Sequence, residues 1–326
     1  LKLYIEDTAS NPQDAVHAVR KLTGDHKVLA IVGPHYSSVG ETTFPLGNRL
    51  KIVQVAVASS KPGLAAANRP YAFRNTLTED KIAGAVVREF KKRYNIKKVA
   101  IITDIKDAVS KSVGTKVLPP AFKAEGIKVM TGDKPVTFQT NDTQFKAQIT
   151  RLKAMNPDGV GMGALGPDAL NIITEARRQG MTQPFMSTAP IMEGEVPELG
   201  GKAVEGTFSG TIWDITIDTP ENQEFVAAYK KRAKTMYPGP YTETPDYYPV
   251  NAYDAVFMMV EAIKKMGVTN KSKDLESDRE KVMKYFTTLR DFKGVASRGF
   301  NEVGDGVKDV TVFEIKEGHW KPLKGK

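Results

Sequence analysis

The sequence contains no cysteine. Disulfides, thiolate nucleophiles and cysteine metal sites are therefore excluded. Histidine is scarce: His17, His26, His35 and His319 form no metal-spaced pair, and no H-E-x-x-H occurs. No apolar run approaches the length of a membrane span. No serine sits in a G-x-S-x-G elbow, and no histidine and acid can be nominated to activate one. Gly200-Gly-Lys-Ala203 lacks the hydroxyl residue and the spacing of a P-loop. Enzyme classes that depend on these constellations lack their parts, and no cofactor is implied. No signal peptide is visible, although mature exported chains have lost theirs.

What is present is a chain of 326 residues, longer than one compact core usually holds, so two domains are expected. Its formal net charge of +9 favours anionic ligands through long-range attraction. The 47 Lys and Arg are spread along the chain and often sit beside Glu, as in Arg88-Glu-Phe-Lys-Lys-Arg93. That spacing describes solvated helix faces, not a nucleic-acid stripe.

Strand and helix patterns alternate. Leu1–Ile5 alternates like a strand, and Pro12 opens a helix to Thr23 with Asn11 as its cap. Val28–Val32 and Ile52–Val57 are short apolar strands. Glu79–Arg93 places Ile82, Val86, Val87 and Phe90 on one helical face, and Lys98–Thr103 is the next strand. A second set follows. It has a helix over 112–124 that Pro119-Pro120 should kink, strands at 126–130, 158–162, 184–187 and 204–212, and helices at 142–155, 167–179 and 221–237. Tyr237–Pro249 reads as an ordered aromatic loop, Tyr253–Met266 as an apolar helix with Met258 and Met259 as core filler, and Asp309–Lys316 as a last, half-exposed strand. The fold class expected is α/β, with two doubly wound parallel-sheet lobes.

The first two apolar strands end alike. Gly33-Pro34 breaks the first, and Tyr36, Ser37 and Ser38 follow where a helix begins; the second runs into Ala58-Ser-Ser-Lys-Pro62. Ser37 alone is explained by N-capping. Two parallel strands ending in paired serines put four hydroxyls on one sheet edge, beside a helix start that can hold an anion. A competing motif is Gly161-Met-Gly-Ala-Leu-Gly166, which fits the dinucleotide fingerprint of an NAD-dependent oxidoreductase. That fingerprint wants an acid at the end of the next strand, where Ser187-Thr-Ala-Pro190 offers none. A tight strand-to-helix turn is the better reading. Glu193 and Glu195 form a close acid pair that a solvated loop explains as well as acid–base chemistry.

The ordered landmarks Ile5–Pro12, Ile31–Ser38, Ser59–Pro62, Phe73-Arg74 and Gly294–Phe300 resemble the leucine/isoleucine/valine-type periplasmic binding proteins, the solute receptors of ABC importers. The resemblance runs the whole length. It implies two α/β lobes joined by three crossovers that close on ligand like a clamshell, here residues 1–103 with 242–289 and 104–241 with 290–326. It also implies a strand–helix unit ahead of Leu1, so the chain is expected to begin late. By the same resemblance Ser37, Ser38, Ser59 and Ser60 hold the ligand's carboxylate. His35, Tyr36, Trp213 and Tyr248 are candidate neighbours, and Val109, Leu165 and Ala189 are the contacts from lobe two.

The implied partners are a small carboxylate and an inner-membrane ABC permease, for a periplasmic monomer that binds no nucleic acid. A sensor domain of the same fold would need an attached helix-turn-helix or membrane span. In amino-acid-binding members an acid after the lobe-two strand takes the ammonium, and 187–190 has none. Small side chains near Asp107–Ser110 replace a family aromatic. Both departures favour an aromatic or bulky carboxylic acid, with a branched-chain or other amino acid as the alternative.

Overall fold

A computed structural model describes residues 1–192, 195–236 and 245–323. The chain divides into two compact units, Leu1–Leu77 with Ile212–Asp309, and Thr78–Thr211 with Val310–Lys326. The expected boundaries near 103, 241 and 289 are thereby corrected. Strand–helix alternation continues unbroken through Thr78, so the pattern carries no mark of the crossing. Pairing decides the matter: the strand at Lys98–Asp104 lies beside Gly159–Gly163 in the second unit's sheet.

The first unit opens with α1 (Pro12–Gly24), capped by the Asn11 carboxamide, which accepts from the N–H groups of Gln13 at 2.7 Å and Asp14 at 3.3 Å. β1 (Ala30–Val32), α2 (Ser37–Arg49), β2 (Val53–Ala56) and β3 (Ala72–Arg74) follow. The sheet order is β1-β2-β3, all parallel, with Ala30 opposite Val53 and Gln54 opposite Ala72. Leu1–Ile5 is not a strand, contrary to the alternation of its residues. It joins no ladder among the described residues, and Leu1, Leu3 and Ile5 are exposed. Alternation makes a strand only where a neighbour supplies hydrogen bonds and a face to bury.

The second unit runs α3 (Glu79–Tyr94), β4 (Lys98–Asp104), α4 (Ala108–Ser112), a π-helical turn (Val113–Val117), α5 (Leu118–Ala124), β5 (Lys128–Val129), β6 (Val136–Phe138), α6 (Lys146–Ala154), β7 (Gly159–Gly163), α7 (Gly166–Arg178), β8 (Phe185–Met186), α8 (Val196–Gly200) and β9 (Phe208–Thr211). The apolar face of α3 is fully buried, as its spacing predicts. The expected proline break is shifted. The π turn precedes Pro119 and Pro120, which then open α5, so the hydrogen bonds they cannot donate are lost at the π turn and not in mid-helix.

The chain returns to the first unit for α9 (Pro220–Met236), α10 (Tyr247–Lys265) and α11 (Leu275–Thr288). α10 starts earlier than its apolar run because the Asp246 carboxylate caps it, accepting from Tyr248 N–H at 2.8 Å. The aromatic run over 237–244 and the acid Glu193 lie outside the described residues. Met258 and Met259 sit in the core with Phe73, Phe286 and Phe300 and act there as filler.

β10 (Thr311–Lys316) and β11 (His319–Pro322) complete the second sheet, in the order β11-β10-β9-β8-β7-β4-β5 with β6 also on β4. The sheet is not wholly parallel: β10 runs antiparallel to β9, and β11 antiparallel to β10. The β10–β11 turn is Glu317-Gly318, with φ +53° and +73°, the two left-handed residues that a tight hairpin requires. Because β11 covers it, β10 is buried along most of its length and not half-exposed.

Gly161 and Gly163 of the dinucleotide-like motif both lie inside β7, and their use is packing. A Cβ on Gly163 would stand 2.2 Å from the Ser110 carbonyl oxygen and 2.9 Å from Gly114 N; one on Gly161 would stand 2.9 Å from the Phe122 ring. These glycines let the α4–α5 segment lie directly on the strand, which accounts for them without a pyrophosphate.

Candidate ligand-binding site

The carboxyl ends of β1 and β2 lie side by side, so the two serine segments meet on one edge of the first unit. Their first contact is with each other. Ser37 Oγ accepts from Lys61 N–H at 3.2 Å, and Ser59 Oγ donates to the His35 carbonyl at 2.9 Å. These reciprocal bonds staple the α2 start to the β2 loop. Arg74, at the end of β3, fastens the loop from below: its Nη1 donates to the Ser59 carbonyl at 3.2 Å and to that of Lys61. Asp305 balances the guanidinium through Nε, and Arg74 is fully buried. Lys61 pairs with Glu41 on α2.

Ser37 and Ser59 are thus occupied in holding the loops, and both are buried. Ser60 is also buried, at 5% exposure, and Ser38 is half-buried. The first turn of α2 adds backbone N–H groups that have no intrahelical acceptor. Together these form a neutral donor surface suited to a carboxylate.

Rings flank this surface. His35 lies 4.5 Å from Tyr248 and 4.7 Å from Tyr36, centroid to centroid. Burial pushes the His35 imidazole below its ordinary pKa, so it is neutral near pH 7 and offers no cation. Trp213 makes contacts of its own. It is buried with its indole N–H on Asn222 at 2.7 Å and its ring edge-on to Phe225.

In the second unit, Val109, Leu165 and Ala189 follow β4, β7 and β8 and so share that sheet's carboxyl edge. Val109 and Ala189 are buried and Leu165 is half-buried. Ser187 and the Thr188 carbonyl are tied inward, by Ser187 Oγ to Met162 O at 2.7 Å and Ser209 Oγ to Thr188 O at 3.0 Å. Carboxylates do occur on this edge, at positions not singled out from sequence. Asp104 ends β4 and accepts from Lys106 N–H and Thr140 Oγ; Asp107 caps α4; Asp168 sits in the first turn of α7 and accepts from Asn141 N–H at 3.2 Å. Burial, together with Asp104, Asp142 and Asp107 nearby, pushes Asp168 up to about 6, against the Asn141 bond. Each of these acids resembles a routine cap in sequence, which is why periodicity did not reveal them. Among the described residues no cluster of acids or histidines is arranged to hold a metal ion, and no helix is long and apolar enough to cross a membrane.

The family model for the periplasmic binding proteins matches residues 1–319. The chain belongs to that family. This binding protein is 26% identical, over 96% of its length and 78% of the relative's, to the leucine-, isoleucine-, valine-, threonine- and alanine-binding protein of Pseudomonas aeruginosa. It superposes on a leucine binding protein from Thermotoga maritima with a TM-score of 0.85 at 26% identity, covering 99% and 87% of the two chains. An R. palustris solute binding protein solved with benzoate gives 0.81 at 20% identity, covering 98% and 83%. The type I periplasmic binding fold and the transport role of the family account for the two α/β units. Neither calls on a dinucleotide at Gly161–Gly166, where Gly161 and Gly163 serve packing.

Proposed function

We propose that this binding protein is the periplasmic receptor of an ABC importer, delivers its cargo to an inner-membrane permease, and captures a small aromatic or otherwise bulky carboxylic acid. The observation that carries the reading is the stapled donor edge of the first unit with its neutral ring cluster. Hydroxyl and backbone N–H donors converge there, and the buried guanidinium of Arg74 that holds the loop is already balanced by Asp305. The rings of His35, Tyr36 and Tyr248 suit a flat apolar body attached to the carboxylate. A protein of similar fold solved with benzoate supports such a ligand.

The test is calorimetry with leucine, valine, phenylalanine, benzoate and phenylpropanoid acids. Submillimolar binding of an aryl acid is expected. Tight leucine or valine binding with no response to any aryl acid overturns the aromatic assignment. Ser60→Ala is expected to weaken the bound acid by about 1–3 kcal/mol, the cost of one buried hydrogen bond. Unchanged affinity in a folded variant would remove Ser60 from the site.

A second reading, an amino-acid receptor, is favoured by Asp104, Asp107 and Asp168 on the second unit's carboxyl edge and by the names of the relatives. Under it Asp168→Asn abolishes leucine binding. Under the first reading the same substitution leaves benzoate binding within about twofold, as for a site remote from the ligand.

A further inference from the structure

Lys308 lies in the first unit, and its amine is buried under the same strand ends that carry the serine loop. Nζ donates to Ser297 Oγ at 2.8 Å and Asn251 Oδ1 at 3.0 Å, with the Ala296 carbonyl at 3.4 Å. Asn251, on α10, passes the contact on: its Nδ2 donates to the Val57 carbonyl at 2.7 Å. Ser297 Oγ donates to Asn75 Oδ1 at 2.8 Å, and Asn75 Nδ2 donates to the Asn251 carbonyl at 2.8 Å. Asn75 and Ser297 are buried, and Asn251 fully so. One amine therefore organises a closed polar network that ends on the peptide just before Ala58-Ser59-Ser60.

We propose that Lys308 is a positioning residue for this loop, and that its charge, relayed through Asn251 to the Val57 carbonyl, strengthens the loop's grip on an anionic ligand. The relay is ordinary polarisation. A charged donor on Asn251 Oδ1 makes the Nδ2–H a stronger donor, and a stronger bond at the Val57 oxygen makes the N–H of the same peptide, on Ala58, a better donor in turn.

Other charges around the amine are accounted for. Asp254 on α10 is the counter-charge, and it is itself held by Val295 and Ala296 N–H at 2.8 and 2.9 Å. Arg298 on the facing loop and Asp309 on the Lys308 segment pair with each other in solvent at 3.7 Å, and Asp305 is engaged by Arg74. Burial lowers the Lys308 amine to about 7, against the pull of Asp254, so it changes charge in the neutral range. An anion bound at the loop favours the charged form, so binding and protonation reinforce each other.

This inference rests on the carboxylate reading of the serine edge, and the experiment separates the two. Benzoate affinity is measured by calorimetry from pH 6 to 8.5 for the wild type and Lys308→Met, with leucine as the probe if benzoate does not bind. The wild type is expected to bind about twofold more weakly at pH 8.5 than at pH 6, because the charge reaches the ligand as polarisation through Asn251 and the Val57 peptide. The variant should be flat at the weaker value. A wild-type profile that is flat, or that persists in Lys308→Met, overturns the proposal.

Failure of both probes to bind wild-type protein at any pH counts against the carboxylate reading of the serine edge instead. Lys308 is then judged without ligand, on hydrogen exchange and stability. Amides 57–61 should exchange faster in Lys308→Met than in wild type. A lowered lysine pKa also means that the unfolded chain binds more protons between about pH 7 and 10. Wild-type stability should therefore gain over that range relative to the variant. Unchanged exchange or parallel stability curves would overturn the role. If Lys308→Met does not fold, Lys308→Gln carries the same comparisons.

Discussion

Asp305→Ala is expected to destabilise the protein by about 3–5 kcal/mol, the usual cost of leaving a buried charge without its partner. Arg74 is fully buried and its guanidinium is balanced by Asp305, so the alanine variant strands a cation in the interior. The effect should not stop at stability. Arg74 also holds the carbonyls of Ser59 and Lys61, and a guanidinium drawn toward water would take the loop with it. Urea denaturation measures the first part and carboxylate affinity at a temperature where the variant is folded measures the second. A loss under 1 kcal/mol would show that water compensates Arg74. Arg74→Met with Asp305→Leu, which removes both charges, should be much less damaging than Asp305→Ala alone.

Gly163→Val is expected to cost at or above the upper end of the roughly 1–3 kcal/mol seen for overpacked cores. The added carbons meet the Ser110 carbonyl oxygen at 2.2 Å, and backbone cannot swing aside as a flexible side chain can. The strand and the α4 segment must separate, which also displaces Val109 and its neighbours on the second unit's carboxyl edge. Chemical denaturation followed by circular dichroism is the check. A variant as stable as wild type would show that the close approach of β7 to α4 is not required.

Local signals carried much of the architecture. The cap at Asn11, the apolar stripe of α3 and the apolar strand β2 are each written in a few neighbouring residues, and they fold as that local chemistry dictates. The crossings between units were misplaced because a strand–helix rhythm reads the same whichever sheet receives the next strand. Leu1–Ile5 misled for a related reason, since alternation reports a capacity to pair and not the presence of a neighbour.

At the site, the serine pairs were legible because glycine, proline and hydroxyl residues cluster at strand ends. Their division of labour was not. Ser37 and Ser59 staple the loops together, which follows only from the side-by-side placement of β1 and β2. Asp305 lies 231 residues from Arg74 in sequence, and no local pattern joins them.

The hairpin that closes the second sheet has a bearing on how the protein behaves at high concentration. β11 is the outermost strand on its side, only His319–Pro322 long, and it carries Lys321 and ends in a proline that cannot donate a ladder bond. At the other extreme β5 and β6, two and three residues long, share the edge of β4. Among the described residues neither margin offers a neighbouring molecule a long run of free backbone groups to zip onto, the arrangement by which a sheet edge discourages fibril-like self-association.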